Sequence, residues 1–412
     1  MSSKNFAALY SSDNDVISLE QRWYAAPELV RGQIATPTDT DFFYTLGGGS
    51  ISYSQEQVSS EHRSGRHHVS TIKKKKQTSF SFSTYFNINE LLPSASVAQI
   101  DLANRMFFKN LMGQETVSPN LKYTSEVPPS STFTIMECGD KWARQSPGCF
   151  LQGGTLSFPG DGEAKIEWTG NAKEAFFVGI GKSTVSNSGN TVTLQTGEGQ
   201  AFRKGALVML VHSDGVTRSS DTLNGTSRKV VSVAGDVVTL DGAVLTDADG
   251  TGGEVYLAYY EPLMAAPTAI NNPVTGLVGS MAIAGVNVSH FRNATISIQN
   301  NHEVVDYSYG TDGLAEPYFV PGSRVTATLT VECNLNAETI RLFNRIQDFQ
   351  SQNFELVLGD STGRHFKATA PVVKFKTPAF SVPESGSVPV SFEGDCYASN
   401  LGAYDELTLE FK

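Results

Sequence analysis

No run of about 20 apolar residues occurs in the 412-residue chain, so no helix is expected to span a membrane. The opening Met1-Ser2-Ser3-Lys4-Asn5 leads into no apolar segment, and no secretory leader is expected. The four cysteines, Cys138, Cys149, Cys333 and Cys396, form no CxxC pair. That spacing argues against a disulfide or zinc framework and favours a reducing setting such as the cytosol. Charged residues are sparse, at 18 %, and the net charge is −11, so the molecule as a whole should repel nucleic acid. There is no Gly-x-Ser-x-Gly elbow, and the carboxylates are scattered with no pair marked as acid and base. The expectation is a protein that is not an enzyme and carries no cofactor and no metal.

What is present is a stretch that occurs twice. Residues 155–170 and 379–394 align without a gap at an offset of 224. Ser157, Pro159, Gly162 and Gly170 fall on Ser381, Pro383, Gly386 and Gly394, and Leu156, Phe158, Ile166 and Trp168 fall on Phe380, Val382, Val390 and Phe392. Each copy reads as a strand, a Pro/Gly turn and a second strand with period-two apolar positions. Self-similarity of this kind points to a duplicated β-rich unit, and each half is long enough to bury its own core.

The flanking order of elements repeats as well. In the first half, residues 1–42 show little periodicity and read as an arm or edge segment. A strand pattern begins at Phe43 and continues through Ile51 and Tyr53. Residues 54–78 form a long polar loop with Arg63, Arg66, Lys73, Lys74, Lys75 and Lys76. Residues 79–85, with Phe80, Phe82 and Tyr85, alternate as a strand. A helix over 97–112 follows, with Ser96 and Gln99 as its capping box, Ile100, Ala103, Phe107 and Leu111 on one face, and Gly113 at its end. In the second half, Asn293 to Ile298 alternates as a strand and 299–323 is again a long polar loop. This one carries Glu303, Asp306, Asp312 and Glu316. Val325, Ala327, Leu329 and Val331 alternate, and Asn336 caps a helix over 337–350 with Leu342, Phe343, Ile346 and Phe349 on its face. Between the halves, short Val-rich runs separated by turn residues read as a small all-β barrel or sandwich. The expected domains are therefore 1–177, 178–260 and 261–412.

Several local patterns yield to simpler readings. Gly179-Ile180-Gly181-Lys182-Ser183-Thr184 resembles a phosphate loop, but Phe176 stands where the first glycine belongs and no helix pattern follows. His62, His67 and His68 lie on a polar stretch without further placed ligands. Asp247-Ala248-Asp249-Gly250 lacks the full ligand series of a calcium loop. The tetralysine reads as a solvated face or a partner for acidic protein. Trp142 and Trp168 read as core anchors.

With Arg63 to Arg66 and Ser79 to Tyr85, with Ile166 to Gly170, with Pro321-Gly322 and Thr326 to Val331, and with Phe354 to Gly359 and Val388 to Gly394, each half resembles the tube domain of tailed-phage major tail tube proteins. The resemblance covers about 330 residues. It implies a mainly β chain of two β-sandwich-like or half-barrel tube domains, each with one main helix, plus a small inserted all-β domain. It implies homotrimeric, pseudo-hexameric rings stacked into a hollow conduit for DNA. The implied partners are further copies, a tape-measure protein, and tail-tip and terminator proteins, with DNA only in transit and no membrane. The implied place is the virion tail, assembled in the host cytoplasm. Ring pairing falls to the strands of Phe80, Phe82, Tyr85, Val325, Leu329 and Val331. Inter-ring stacking falls to the basic loop and its acidic counterpart. The alternatives are a contractile-tail tube and a β-rich tail-tip or spike protein acting on surface glycans.

Overall fold

The computed structural model describes residues 6–12, 21–47, 49–64, 67–68, 70–87, 102–117, 120–184, 189–212, 226–243, 254–262, 279–288, 291–305, 319–322, 325–359, 365–378, 380 and 382–412. The chain is mainly β, as its alternating patterns imply.

The first unit runs α1 (Phe6–Ser11), β1 (Arg22–Pro27), β2 (Phe42–Phe43), β3 (Ser50–Ser59), β4 (Thr71–Tyr85), α2 (Leu102–Met112), β5 (Gln114–Thr116), β6 (Leu121–Thr124), β7 (Phe133–Cys138), β8 (Ala143–Pro159), β9 (Lys165–Ala172) and β10 (Phe176–Val178). A middle region follows: β11 (Ile180–Lys182), β12 (Thr191–Thr193), β13 (Leu207–His212), β14 (Arg228–Ala234), β15 (Val237–Leu240) and β16 (Val255–Tyr259). The last unit runs β17 (Gly279–Ile283), β18 (Val286–Asn287), β19 (Phe291–Gln299), β20 (Thr326–Asn334), α3 (Ala337–Gln347), β21 (Gln352–Gly359), β22 (His365–Phe375), β23 (Pro389–Tyr397) and β24 (Thr408–Phe411).

Seven ladders of the first unit have a counterpart in the last. β1 pairs with β2 and β7, β7 with β8, β8 with β9 and β10, and β4 with β3 and β9. Likewise β17 pairs with β18 and β21, β21 with β22, β22 with β23 and β24, and β20 with β19 and β23. The repeated stretch keeps its register across the offset of 224. Phe150 faces Asn171 as Lys374 faces Asp395, Leu151 faces Gly170 as Phe375 faces Gly394, and Leu156 faces Ile166 as Phe380 faces Val390. Both ladders slip by one residue, the first between Leu151 and Gly153 and the second between Phe375 and Phe380.

The two units do not bury separate cores. β8 of the first unit pairs with β19 of the last over Gly153–Pro159 and Gln299–Asn293. β24 at the chain end pairs back onto β6. One apolar interior results, running from Trp23 through Phe107, Leu156, Trp168 and Ile296 to Phe411. Its seam is aromatic: Phe86 meets Phe366 edge-on at 4.7 Å, Phe158 stacks on Phe366 at 5.5 Å, and Phe108 meets Phe411 at 5.4 Å. Offset and edge-to-face rings add roughly 0.5–1.5 kcal/mol each beyond their buried area, so the seam adds to the ladders that join the units.

The expected helices are present with altered limits. α2 starts at Leu102 among the described residues; Ser96, Gln99 and Ile100 lie outside them, and Ala103 falls on its first turn. Phe107 and Leu111 are fully buried, and Gly113 closes the helix at φ +96°, where its N–H bonds Lys109 O at 2.8 Å. α3 opens on Asn336, whose side chain accepts from the Glu338 and Thr339 N–H groups. It stops at Gln347, and Leu342 and Ile346 face inward. Phe349 was expected on that face, but it lies past the helix end at φ +56° and is 90 % exposed.

Two readings of the first half need correction. Residues 1–42 are not a loose arm where they are described: Trp23, Tyr24, Ala25 and Ala26 of β1 are buried between β2 and β7. The polar stretch 54–78 is not a loop throughout. β3 and β4 extend past the body as a paired arm, with Gln55 opposite Lys76, Gln57 opposite Lys73 and Val58 opposite Ile72. Its polarity is that of a ladder with solvent on both faces.

The middle region forms one sheet in the order β11-β16-β13-β14-β15-β12, and a bridge between Ser183 and Leu194 joins its ends into a small barrel. It does not stand apart. Phe6 of α1, Tyr24, Met136, Cys138, Phe176 and Val178 of the first unit share its apolar interior. Arg22 bridges Glu261 at 2.6 Å where the two meet.

Candidate functional site

No cleft with paired catalytic groups dominates the described residues; the chemistry lies in edges and arms. The residues expected to pair strands around a ring lie on interior strands. β4 is flanked by β3 and β9, and β20 by β19 and β23. Phe80, Phe82, Leu329 and Val331 point into the core, Val325 is half-buried, and Tyr85 is exposed beside Lys165. Phe80, Leu329 and Val331 are thus paired on both sides within the chain, whereas the β3 ladder stops at Ser81, short of Phe82 and Tyr85.

Two edges are open. Among the described residues β3 pairs only with β4, and 377–383 pairs only inward, through Phe380 to Val390. Their apolar side chains are unusually bare: Tyr53 is 48 % exposed, Phe380 46 % and Val382 73 %. Phe380 rests edge-on against Phe343 of α3, at 5.9 Å.

A cleft of about 1220 Å³ opens beside β3, between the first unit and the small barrel. Ile51 and Tyr53 border it, and Lys76, Arg144, Arg203 and Lys229 line it. Arg144 holds the cleft together. It bridges the fully buried Glu137 at 2.7 Å and donates from Nη1 to Ile51 O at 2.6 Å. Burial pushes the Glu137 carboxyl up, and the facing guanidinium only partly offsets that. Trp142 is no core anchor: it is half-buried, stacked on the exposed Phe177 at 5.5 Å, with Arg144 over its ring. Trp168 is one, fully buried with Nε1 bonded to Thr84 Oγ1 at 3.0 Å.

The basic arm carries Lys73 to Lys76 on β4. Lys73 and Lys74 are exposed, Lys74 pairs with Glu56 at 2.8 Å, and Lys76 pairs with Glu174 at 3.1 Å. The Lys75 ammonium is shielded, with no hydrogen-bond partner among the described residues. Arg63 lies in a two-residue ladder with His68, and Arg66 lies outside the described residues.

The second-half loop joins the equivalent strands β19 and β20. Glu303 begins a two-residue ladder in which it faces Val320; Asp306, Asp312 and Glu316 lie outside the described residues. The loop base rests on the first unit. Phe319 stacks on Phe150 at 4.0 Å, and Arg31 lies over the Phe319 ring at 4.5 Å. Gly322 N–H donates to His302 Nδ1 at 2.7 Å. Burial, with help from Arg31, pushes the His302 imidazole down to about 4, so it stays neutral and keeps that acceptor at neutral pH. The unfolded imidazole takes up a proton near 6.5 while the folded one does not. This anchor therefore loses stability as pH falls from about 6.5 towards about 4.

The remaining motifs carry no site. Lys182 of the phosphate-loop-like stretch is on a strand and bonds Glu254, and its N–H donates to Glu198. No group of metal-ligating side chains is assembled among the described residues, and Asp247 to Gly250 lie outside them. The four cysteines are free thiols. Glu28, a half-buried carboxylate, accepts from Gly32 and Gly148 N–H and from the Thr132 and Thr134 hydroxyls. That network ties the segment after β1 to Gly148 and to the Thr132–Thr134 stretch. No family model matches the chain, and no curated protein matches it.

Proposed function

We propose that this chain is a structural subunit of a bacteriophage tail tube, without enzymatic activity or cofactor. The observation that carries the reading is the junction. Two units with one strand plan are joined by β8 on β19, and an unpaired edge remains on each unit. Units joined head to tail in one chain can continue head to tail through further chains, and a heterologous contact closes into a ring when its rotation permits. Two units per chain make a pseudo-sixfold ring from three chains, the number that the resemblance implies. Closure removes edges that would otherwise associate at random.

On this reading the duplicated chain is a tube unit pair, and the small barrel, docked on one unit, lies outside the lumen that DNA must pass. The net charge of −11 suits a conduit that does not hold DNA. The basic arm with Lys73 to Lys76 and the acidic loop with Glu303 reach neighbouring rings, and their opposite charges set the rotational register between rings. Tape-measure, terminator and tail-tip proteins are the partners at the lumen and ends, and the place is the virion tail after assembly in the host cytoplasm. Electron microscopy of the purified chain tests this. Hollow rings or stacked tubes support it, and a population of single compact particles at every concentration overturns it.

A further inference from the structure

We infer that the open edge 377–383 of one copy adds to the open edge of β3 in the next, in the register that β8 and β19 already use within the chain. The inference deepens the tube reading and takes from it only that copies of this chain associate. It rests on transferring one observed junction through the internal repeat.

The transfer fixes the residues. The offset of 224 carries Gly153, Leu156 and Phe158 of β8 onto Thr377, Phe380 and Val382. On the other side, Ile296 of β19 faces Leu329, which faces Gly394; Ile51 of β3 faces Phe80, which faces Gly170. Ile51 therefore corresponds to Ile296, Ser54 to Gln299 and Gly49 to Ala294. Within the chain Gly153 faces Gln299, Leu156 faces Ile296 and Phe158 faces Ala294. Between copies, Thr377 then faces Ser54, Phe380 faces Ile51 and Val382 faces Gly49.

The backbone is already oriented for it. Gly160 N–H donates to Arg292 O at 2.7 Å and Asn300 N–H to Gln152 O at 2.8 Å, so by alternation Leu156 and Ile296 exchange hydrogen bonds. Phe86 N–H donates to Ala164 O at 2.9 Å, so Phe80 of β4 spends its groups on β9. Ile51, opposite Phe80, turns its N–H and C=O away from β4, and Arg144 holds that outward carbonyl in the single chain. The side chains agree. Leu156 and Phe158 are at most 1 % exposed in the junction, while Phe380 and Val382 stand bare. A Cβ on Gly49 would already press on Trp23 at 3.2 Å, so the residue opposite Val382 brings no side chain of its own, as the small Ala294 lies opposite Phe158. One rung differs: Pro378 brings no N–H, so its pairing with Tyr53 keeps one bond instead of two.

Thr377 and Ser54 are both exposed and fall on a non-hydrogen-bonded rung, where Cβ atoms come closest. The doubly substituted chain, Ser54→Cys with Thr377→Cys, is oxidised mildly and run on non-reducing gels. Disulfide-linked multimers that collapse to one band on reduction are expected. Each single variant and the register control, Gln57→Cys with Thr377→Cys, should give roughly tenfold less or none. Only monomer from the double variant, or equal yield from the register control, overturns the inference. Val382→Asp, at an exposed position, should abolish self-association while leaving the melting midpoint unchanged; association as in the parent overturns it as well. Linked chains that build no tube would remove the tube reading and keep the pairing. Tubes built without the link would do the reverse.

Discussion

The two copies of the repeated hairpin share a register, a slip and a glycine, and differ in what covers them. In the first, Leu156 and Phe158 lie under β19 and the seam rings; in the second, Phe380 and Val382 meet solvent. The residue pattern is therefore not a record of burial in the single chain. On the proposed pairing it is a record of a neighbour, which the first copy has inside its own chain and the second finds in the next copy.

The largest expected effect comes from breaking the covered copy. Phe158→Ala removes a ring packed on Phe86 and Phe366 and should cost about 3–5 kcal/mol in denaturant unfolding. Val382→Ala should cost under about 1 kcal/mol in dilute protein, since an exposed side chain leaves no cavity. Equal costs at the two sites would remove the contrast.

The paired glycines sharpen it. A Cβ on Gly170 would run into the Phe150 carbonyl and the Phe80 ring, whereas one on Gly394 meets Phe375 Cδ1 at 2.8 Å and Lys374 O at 3.0 Å. Gly170→Ala should cost about 3 kcal/mol, and Gly394→Ala about half that, because the second site is less enclosed. Melting of the two variants side by side checks the order.

Only the first unit inserts β5 and β6, and an ion pair fastens them. Arg105 makes two bonds of 2.7 Å to Glu115, and the Tyr123 hydroxyl adds a third at 3.0 Å. Burial alone would push Glu115 up; Arg105 overcomes it and holds the carboxyl below the usual range. Its stabilisation is present above the unfolded value near 4.5 and is lost as pH falls through the lower folded value. Glu115→Gln should cost about 2 kcal/mol at pH 7, and the gap from the parent should narrow in stability–pH curves as pH falls below the unfolded value of 4.5.

The smallest effect is expected at the basic arm. The Lys74–Glu56 pair is exposed on both sides, and such pairs contribute about 0–1 kcal/mol. Replacing Lys73 to Lys76 with serine should leave the melting midpoint almost unchanged while shortening tubes relative to the parent, most in low salt, with the gap narrowing as salt screens the parent's own contacts. Tubes of normal length at every salt concentration would remove the charge from the stacking account.

Period-two alternation made the β class, β4, β20 and the hairpins legible, because those strands have one dry face and one wet one. Asn336 and Gly113 marked helix ends because caps are local chemistry. The arm of Lys73 to Lys76 was not legible as a strand, since a ladder wet on both faces has no apolar period. β1 hid for the opposite reason: Trp23, Tyr24, Ala25 and Ala26 are all buried, so no alternation survives. The shared core was hidden too, because the pairing of β8 with β19 and of β6 with β24 is set by distant contacts. The open edges follow only from laying those pairings over the repeat.

The central claim is that unit follows unit around a ring. Its most direct measurement is electron microscopy with rotational averaging of end-on views of the assembled chain. The account requires hollow rings with six similar inner lobes and three small barrels outside them. Compact particles without a lumen, or assemblies with the small barrels filling the centre, would contradict it.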